Sequence, residues 1–176
     1  MSPAELVERF SLERIGPSPA TFDYEKLDWL NGVHLRELEP EGYAGYLLAW
    51  LGEQQIGWPE ARVRETVLLV QEKLEKLSQY PDYVRFLFEP VSPDGADPDI
   101  CRAAAAALAP VDPWLAAQIE QALRSLIEEL GLKPREAFAP IRLAVTGAKV
   151  SPSLFESLEL LGRDESLGRL AAAYGR

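Results

Sequence analysis

The sequence predicts an all-α fold, built as a helical bundle. In two segments, apolar residues recur at alternating spacings of four and three, which places them on one face of a helix. They are Val63, Val67, Val70, Leu74 and Leu77 in one segment, and Leu115, Ile119, Leu123, Leu126 and Leu130 in the other. No clear alternation of apolar and polar residues indicates a strand. The chain has 176 residues and 47% of them are hydrophobic, enough for a sizeable core.

Helix-start and helix-end signals divide this pattern into short helices. A capping side chain accepts a hydrogen bond from a free N–H of the first helical turn, and a proline directly after it has no N–H that needs a partner. This pairing predicts helix starts at Asp97-Pro98, Asp112-Pro113 and Ser151-Pro152. Asp23 is a further predicted N-cap. The predicted C-terminal glycines are Gly32, Gly131 and Gly162. Pro140 is expected to break or kink its helix. The predicted helices span 3–10, 24–31, 41–53, 59–79, 98–109, 113–130, 134–146, 152–161 and 165–174.

Charge is distributed unevenly along the chain. The formal net charge is −10, which on its own argues against a nucleic-acid-binding protein. However, residues 133–176 contain seven Lys/Arg and five Asp/Glu, whereas residues 1–132 contain eleven and twenty-three. Only the C-terminal part would therefore not repel a phosphate backbone.

The residues point to no catalytic site. The sequence has one cysteine, Cys101, and one histidine, His34, and it has no glycine-rich phosphate loop or metal-ligand spacing. His34 is interpreted as a surface or partly buried side chain. Cys101 is interpreted as a small packed residue, although the first turn of a helix can lower a thiol pKa. The N-terminal sequence shows no signal-peptide pattern and no apolar run approaches about 18 residues, so a cytoplasmic location is expected. No cofactor or metal is expected in this chain.

Three stretches together resemble the C-terminal half of bacterial glutamyl-tRNA synthetase, a class I enzyme. Residues 10–38, FSLERIGPSPATFDYEKLDWLNGVHLREL, are similar to the family's Ser-Pro-Ala-x-Phe-Asp-x-x-Lys-Leu-x-Trp-Leu-Asn segment. Residues 68–88, LLVQEKLEKLSQYPDYVRFLF, are similar to a helix and turn of its anticodon-binding region. Residues 139–162, APIRLAVTGAKVSPSLFESLELLG, are similar to its Pro-Leu-Arg-x-Ala-x-Thr-Gly segment and the following Pro-x-Leu-Phe-Glu. The three occur in family order and cover nearly the whole chain.

The resemblance implies the α-helix cage of the anticodon-binding type. Its expected parts are the end of the stem-contact region (1–38) and two helical anticodon-binding subdomains (39–110 and 111–176). The family's parent reaction is ATP-dependent attachment of glutamate to tRNA, and its catalytic motifs, with the ATP and Mg²⁺ they use, belong to a catalytic half that this sequence does not contain. The implied partners are tRNA(Glu) and a separate or upstream catalytic domain, and a monomer is expected. The sequence is compatible both with a free-standing protein and with part of a longer one.

The same resemblance implies which residues contact the anticodon. They are Arg142, Ser151, Pro152 and Leu154. A guanidinium can stack on a base and donate several hydrogen bonds, and a helix start at Pro152 would offer free N–H groups beside it. Ser151 replaces a frequent threonine and keeps the hydroxyl. From the residues alone, a surface arginine and an ordinary helix start remain an alternative.

Further positions carry weaker implications. Lys73 stands where many family members have an arginine that reads the third anticodon base, and a lysine is a point charge and not a planar fork. Lys73 is expected beside core-facing Leu74, with its ammonium over the surface. Asn31 and Arg36 are weak candidates for tRNA stem contacts, since Trp29, Leu30 and Asn31 are more simply explained by packing and capping. Gly16-Pro17 replaces a common Ser-Lys, which removes a charge.

A second function remains open. The chain could be a helical interaction or scaffold domain that derives from the synthetase and does not bind tRNA. The net charge of −10 and the lysine at position 73 favour this alternative.

Overall fold

The structure is a computed structural model that describes residues 2–14, 16 and 21–175. Among these residues the chain forms ten α-helices and three short 3-10 helices and contains no strand, so the all-α prediction is confirmed. Pro17 and the Ser-Pro-Ala of the first motif lie outside the described residues. The α-helices are α1 (Pro3–Arg9), α2 (Tyr24–Glu37), α3 (Pro40–Glu53), α4 (Glu60–Val70), α5 (Tyr80–Val84), α6 (Pro98–Leu108), α7 (Ala116–Leu130), α8 (Pro134–Thr146), α9 (Leu154–Leu161) and α10 (Arg163–Tyr174).

Buried side chains form two hydrophobic cores. The first core comes from the end of α2, from α3 and α4, and from residues 74–88, with Tyr43 and Tyr80 as its largest fully buried side chains. The second core comes from α6 to α10. Residues 89–97 join the two cores. Although α6 falls within the predicted subdomain 39–110, its buried face belongs to the second core. The three-part division at residues 38 and 110 stays a prediction.

Helix α9 connects the two cores. Leu154 and Leu158 are buried in the second core, while Leu160 packs against the first. The guanidinium of Arg62, on α4, donates a hydrogen bond of 2.6 Å to the carbonyl oxygen of Leu160. The segment that leads into α9, residues 147–153, therefore lies where the two cores meet.

The predicted helix 59–79 is wrong beyond Val70. The buried amide of Gln71 donates hydrogen bonds to the carbonyl oxygens of Leu35 and Leu38, at 3.1 and 2.7 Å. These contacts hold the end of α2 against the chain at the point where α4 ends. Leu74 is nevertheless buried, because the following turn faces the same core. The apolar spacing of the predicted helix thus extends to Leu74, although residues 71–76 are not helical.

Helix α2 continues six residues beyond its predicted end at 31, and Gly32 is not a C-terminal glycine. A Cβ at Gly32 would lie 3.1 Å from the Cα of Glu75, so glycine allows close approach of the two segments. Trp29 and Leu30 are exposed to 57% and 43%, which contradicts their interpretation as packing residues. The apolar side chains of α1 are exposed as well.

Two of the three predicted proline starts are wrong. Asp97 does cap α6, accepting from Asp99 N and Ile100 N at 3.0 and 3.1 Å, and Asp23 caps α2. Helix α7, however, begins at Ala116, whose N–H donates to Glu159 Oε2 at 2.7 Å. A distant carboxylate replaces the predicted local cap.

Helix α9 begins at Leu154, two residues after the predicted Pro152. Of the break or kink expected at Pro140, the break is wrong, because α8 runs through it from Pro134 to Thr146, and the kink stays a prediction. Ala137, Ile141 and Ala144 are buried on one face of α8, and this packing stabilises the helix despite the lost hydrogen bond. Gly131 and Gly162 end α7 and α9 with positive φ, as predicted.

Candidate nucleic-acid interface

A tight turn ends α8 and directs the chain back along it. The Thr146 hydroxyl donates to the carbonyl oxygen of Arg142 at 2.8 Å and accepts from the N–H of Ala148 at 3.3 Å. Gly147 has φ of 68°, a left-handed conformation that favours glycine. A Cβ on it would also lie 3.3 Å from Cβ of Val91. The Thr-Gly pair therefore determines where residues 148–153 return to α8.

Arg142 contacts this returning segment. Its Nη1 donates to Ser151 Oγ, to the Ser151 carbonyl oxygen at 3.4 Å and to the Pro152 carbonyl oxygen at 2.7 Å. Nε and Nη2 have no hydrogen-bond partner among residues 2–14, 16 and 21–175. Burial lowers the pKa of Arg142, and the nearby Tyr83 opposes this shift. The guanidinium is nevertheless charged at neutral pH. Nη1 has a structural role, whereas Nε and Nη2 can donate hydrogen bonds to a ligand.

The structure brings Arg142, Ser151 and Pro152 together, but it buries two of the predicted contact residues. Pro152 is buried, and Leu154, only 3% exposed, belongs to the second core. Ser153 precedes α9 and donates its hydroxyl to Glu156, without a capping bond to the helix backbone. The free N–H groups predicted at Pro152 therefore lie two residues later. Contact of Pro152 and Leu154 with RNA stays a prediction.

An open cleft of about 520 Å³ lies along α8 on one side of Arg142. We call it the α8 cleft. Among the residues that the structure describes, its lining contains three cations, Arg135, Arg142 and Lys149, and no carboxylate. The other lining residues are Gly95, Pro134, Phe138, Ala139, Pro140 and Leu143. The cleft thus combines positive charge with an apolar floor, a combination that suits a nucleotide.

A smaller cleft of about 300 Å³, here the Tyr83 cleft, contains Ser151, Thr146 and Gly147. Burial raises the pKa of the Tyr83 hydroxyl, whereas the positive charge of Arg142 lowers it. The phenol therefore stays protonated at neutral pH and can donate or accept a hydrogen bond. Tyr83, which packs against the first core, thus lies near Arg142 on α8.

Lys73 lies in a third cleft, the α4–α9 cleft, of about 470 Å³. Its side chain is exposed directly before buried Leu74, as predicted. The cleft also contains Ser153, at the start of α9, so Lys73 faces the same helix start that follows Ser151 and Pro152. Its other charged lining residues are Glu65, Glu72, Glu156 and Glu159. Lys73 is therefore surrounded by negatively charged side chains, which disfavour binding of an RNA phosphate beside it.

Asn31 and Arg36 lie on α2, outside these three clefts. The amide of Asn31 donates to the carbonyl oxygen of Glu75, and Lys76 forms an ion pair of 2.7 Å with Asp28. A Cβ at Gly32 would lie 3.1 Å from Nη1 of Arg36, so the guanidinium packs over the glycine. Asn31 therefore holds α2 against the turn after α4, whereas Arg36 packs over Gly32 of its own helix. Their contact with the tRNA stem stays a prediction.

Sequence reasoning missed Arg135, Lys149 and Tyr83. Arg135 had a usable signal, because it precedes Arg142 by seven residues, two helical turns, and so shares its face. Lys149 follows a turn whose direction depends on Gly147. Tyr83 comes from the other core, and no sequence pattern links it to Arg142.

The remaining candidates for chemistry are structural. Burial, with a smaller effect of Asp97, raises the pKa of Cys101 to about 11, so the thiol is a packed residue and not an activated one. His34 is exposed, with Nδ1 3.4 Å from Glu37. Within the described ranges, His, Cys, Asp and Glu form no group of three that could hold a metal ion. No helix in those ranges is long and apolar enough to cross a membrane.

Comparisons with known proteins identify the family. A family model described as an anticodon binding domain matches residues 42–174. The chain is 42% identical over 188 residues to a glutamate–tRNA ligase of Acidothermus cellulolyticus, and 41% identical over 185 residues to one of Rhodococcus jostii. Each alignment covers 96% of this chain but only 37% or 38% of the relative. The chain therefore spans less than two fifths of the length of these relatives.

Solved structures agree on the fold. A glutamate tRNA ligase from Elizabethkingia meningosepticum, in complex with its amino acid, superposes with a TM-score of 0.79 at 20% identity, covering 99% of this chain and 37% of that one. The synthetase from Elizabethkingia anophelis gives 0.78 at 21% identity, covering 100% and 36%. The predicted resemblance to the C-terminal part of glutamyl-tRNA synthetase is confirmed. This chain belongs to the anticodon binding domain family, whose model matches three quarters of its length.

Proposed function

We propose that this chain binds the anticodon arm of tRNA(Glu), as the tRNA-binding part of a glutamate–tRNA ligase. The observation that carries the proposal is the arrangement around Arg142. Its guanidinium is held by Ser151 and Pro152 through Nη1, and its side chain lines the α8 cleft together with Arg135 and Lys149. The family match over residues 42–174 supports anticodon recognition as the use of this arrangement.

The physical basis is the recognition of splayed RNA bases. Loop bases are recognised by stacking on planar or apolar groups and by hydrogen bonds to their edges. Arg142 offers a guanidinium plane and free N–H donors, and its hydrogen bonds to Ser151 and Pro152 hold that plane in place before RNA arrives. A pre-positioned side chain loses less conformational entropy on binding. The α8 cleft, which Arg142 lines, leaves room for a base beside it.

The chain's contribution to the parent reaction is binding and orientation. In that reaction a catalytic part attaches glutamate to tRNA with ATP and Mg²⁺, and the relatives are long enough to contain such a part. We propose that this chain positions the anticodon arm in the cytoplasm as a monomer, together with a separate or upstream catalytic domain. Its own residues then require no cofactor.

A second candidate is a helical interaction domain that does not bind tRNA. Exposed apolar side chains in the N-terminal region favour it, among them Val7, Phe10, Phe22 and Trp29, each exposed by more than half. Such residues are typical of protein contact surfaces. The overall charge of −10 also favours this candidate.

Filter-binding titrations separate the two candidates. The probes are tRNA(Glu) and the same tRNA with its three anticodon bases replaced. Saturable binding of tRNA(Glu), weakened by the replacement, supports anticodon recognition. Equal binding of both tRNAs contradicts anticodon reading, and no binding of either tRNA favours the interaction domain.

A further inference from the structure

We propose that the α8 cleft binds the sugar–phosphate backbone of an unpaired RNA segment, with Arg135 and Lys149 as its phosphate contacts. This inference rests on the proposed function and adds two residues to it. Arg142 would act on a base, while Arg135 and Lys149 would hold the backbone that presents the base.

The first argument comes from ion pairing in the second half of the chain. Four arginines in residues 89–175 have carboxylate partners. They are Arg102 with Asp99, Arg124 with Glu120, Arg163 with Asp112 and Arg169 with Glu165, at 2.6–3.9 Å. Arg135, Arg142 and Lys149 have no carboxylate oxygen within 4.0 Å in the part of the chain that the structure describes. These three are the cations that line the α8 cleft.

An acidic chain makes this arrangement informative. With 28 acidic and 18 basic residues, carboxylates are in excess over cations. Surface ion pairs contribute little to stability, so unpaired cations cost little by themselves. Their grouping in one cleft, whose described lining has no carboxylate, nevertheless produces a local positive potential that can attract a phosphate.

The second argument is the spacing of the charges. Arg135 and Arg142 are seven residues apart on α8, which corresponds to about 10 Å along the helix axis at 1.5 Å per residue. A single small anion would contact one of them and not both. An RNA segment, in contrast, can place a base at Arg142 and a backbone phosphate at Arg135 at the same time.

The third argument is the apolar floor between the cations. Phe138, Pro140 and Leu143 line the cleft. Phe138 packs edge-on against Phe155, with ring centroids 5.5 Å apart and an interplanar angle of 82°, which restrains the ring. An apolar floor accepts base and sugar surfaces, whereas free inorganic phosphate would gain nothing from it. The observations therefore favour a single-stranded RNA segment as the ligand.

The test compares Arg135→Gln and Lys149→Gln with Arg124→Gln as a matched control. All three changes remove one positive charge from an exposed side chain, but Arg124 lies on α7 beside Glu120 and outside the cleft. Dissociation constants for tRNA(Glu) are measured at several salt concentrations. Circular dichroism and thermal melts verify that each variant folds.

We expect each cleft substitution to weaken binding and to reduce the slope of log K against log salt by about 0.7, the value for one phosphate contact on a single strand. We expect the loss to be equal for tRNA(Glu) and for its anticodon-replaced form, because a phosphate contact is independent of sequence. Arg124→Gln should leave the slope unchanged.

The outcomes distinguish this inference from the proposed function. If wild type binds tRNA(Glu) but Arg135→Gln and Lys149→Gln behave like Arg124→Gln, the backbone contacts are refuted and anticodon recognition stands. A loss that depends on anticodon sequence also refutes them, since it assigns the residues to bases. If wild type does not bind tRNA, both proposals fail.

Discussion

Arg142 donates a hydrogen bond of 2.7 Å to the carbonyl oxygen of Pro152, joining the middle of α8 to the segment that enters α9. The same nitrogen donates to the hydroxyl of Ser151. Arg142 therefore has a structural role and a proposed binding role in one side chain. The two roles can be separated by experiment, because only one of them involves RNA.

Arg142→Ala is expected to weaken tRNA(Glu) binding by about 1–3 kcal/mol, the range for loss of a bidentate base contact or a stacked base. It should also lower the free energy of unfolding by about 1 kcal/mol, since the contacts to Ser151 and Pro152 are lost. Helical content should not change. Filter binding and urea denaturation measure the two effects.

The matched control for Arg142→Ala is Arg169→Ala. Arg169 donates to the carbonyl oxygen of Val145 at 2.7 Å and so joins α10 to α8, but it does not line the α8 cleft. It should lower stability by a similar amount and leave tRNA binding unchanged. Equal binding losses in both variants would mean that Arg142 acts only through the fold.

The salt dependence of binding is expected to be shallow for an RNA-binding protein. Few cations are available for phosphates, because most arginines in residues 89–175 have carboxylate partners. We expect a slope of log K against log salt of about −2 to −4, with at most about one unit per phosphate contact. A slope near −8 would place the binding surface elsewhere.

Lys73 is expected to read the third anticodon base weakly. An ammonium can only donate hydrogen bonds, so it can meet cytosine O2 and also guanine O6 or N7. We expect wild type to distinguish tRNA(Glu) from a form with guanine at this position by less than about 1.5 kcal/mol.

Lys73→Arg should widen this difference, because a planar guanidinium has directional donors, and Lys73→Gln should not widen it. Paired dissociation constants of the two tRNAs for the three proteins measure the effect. A larger gap in wild type, or no increase with arginine, would assign the reading of the third base to another residue.

Gly32→Ala is expected to destabilise the fold by roughly 1–3 kcal/mol through overpacking. The added Cβ would lie 3.1 Å from the backbone Cα of Glu75, and backbone cannot move aside as a flexible side chain can. Gly45→Ala is the control, because no atom lies within 4 Å of a Cβ added there. Since Gly45 lies inside α3, its replacement should stabilise by about 0.5–1 kcal/mol. If the denaturation midpoints of Gly32→Ala and Gly45→Ala shift in the same direction relative to wild type, this packing argument is contradicted.

Stability is expected to fall between pH 10 and 12. Burial raises the pKa of both Tyr43 and Tyr80 from 10.0 to about 12. Between these values the unfolded chain has lost both protons while the folded chain keeps them, so stability decreases as pH rises. By pH 12 the effect is about 2 kcal/mol for each tyrosine.

Tyr43→Phe isolates one of these contributions. The buried Tyr43 hydroxyl has no hydrogen-bond partner in residues 2–14, 16 and 21–175, so its removal should not destabilise the protein at neutral pH. The variant should lose stability less steeply above pH 10. Tyr46→Phe, which alters a side chain 61% exposed, should retain the wild-type dependence in thermal melts.

Local signals in the sequence were sufficient for much of the fold. The 4,3 apolar period identified the helical class, and α6, α8 and α10 lie close to their predicted ranges. Asp23 and Asp97 act as the predicted caps, because each accepts hydrogen bonds from N–H groups two or three residues further along the chain. The resemblance of residues 139–162 identified Arg142 and Ser151, which the structure joins.

Errors arose where distant residues compete with local preference. The 59–79 helix ends at Val70, where the chain makes its contacts with α2, and Gln71 bonds to Leu35 and Leu38. Helix α7 begins at Ala116, whose N–H donates to the distant Glu159. Gly32 allows close approach of α2 to Glu75 and does not end a helix. None of these partners lies within a helical turn of its residue, so no local period reveals them.

The sequence by itself determined the helical class, the family and the presence of an arginine followed by a turn. The tertiary structure alone decided what surrounds that arginine. Residues 148–153 return to α8 because Gly147 adopts a positive φ against Val91, and this return places Ser151 on Arg142 and Lys149 in the α8 cleft. Helix periodicity and capping act over a few residues, whereas a binding surface depends on packing between segments far apart in the chain.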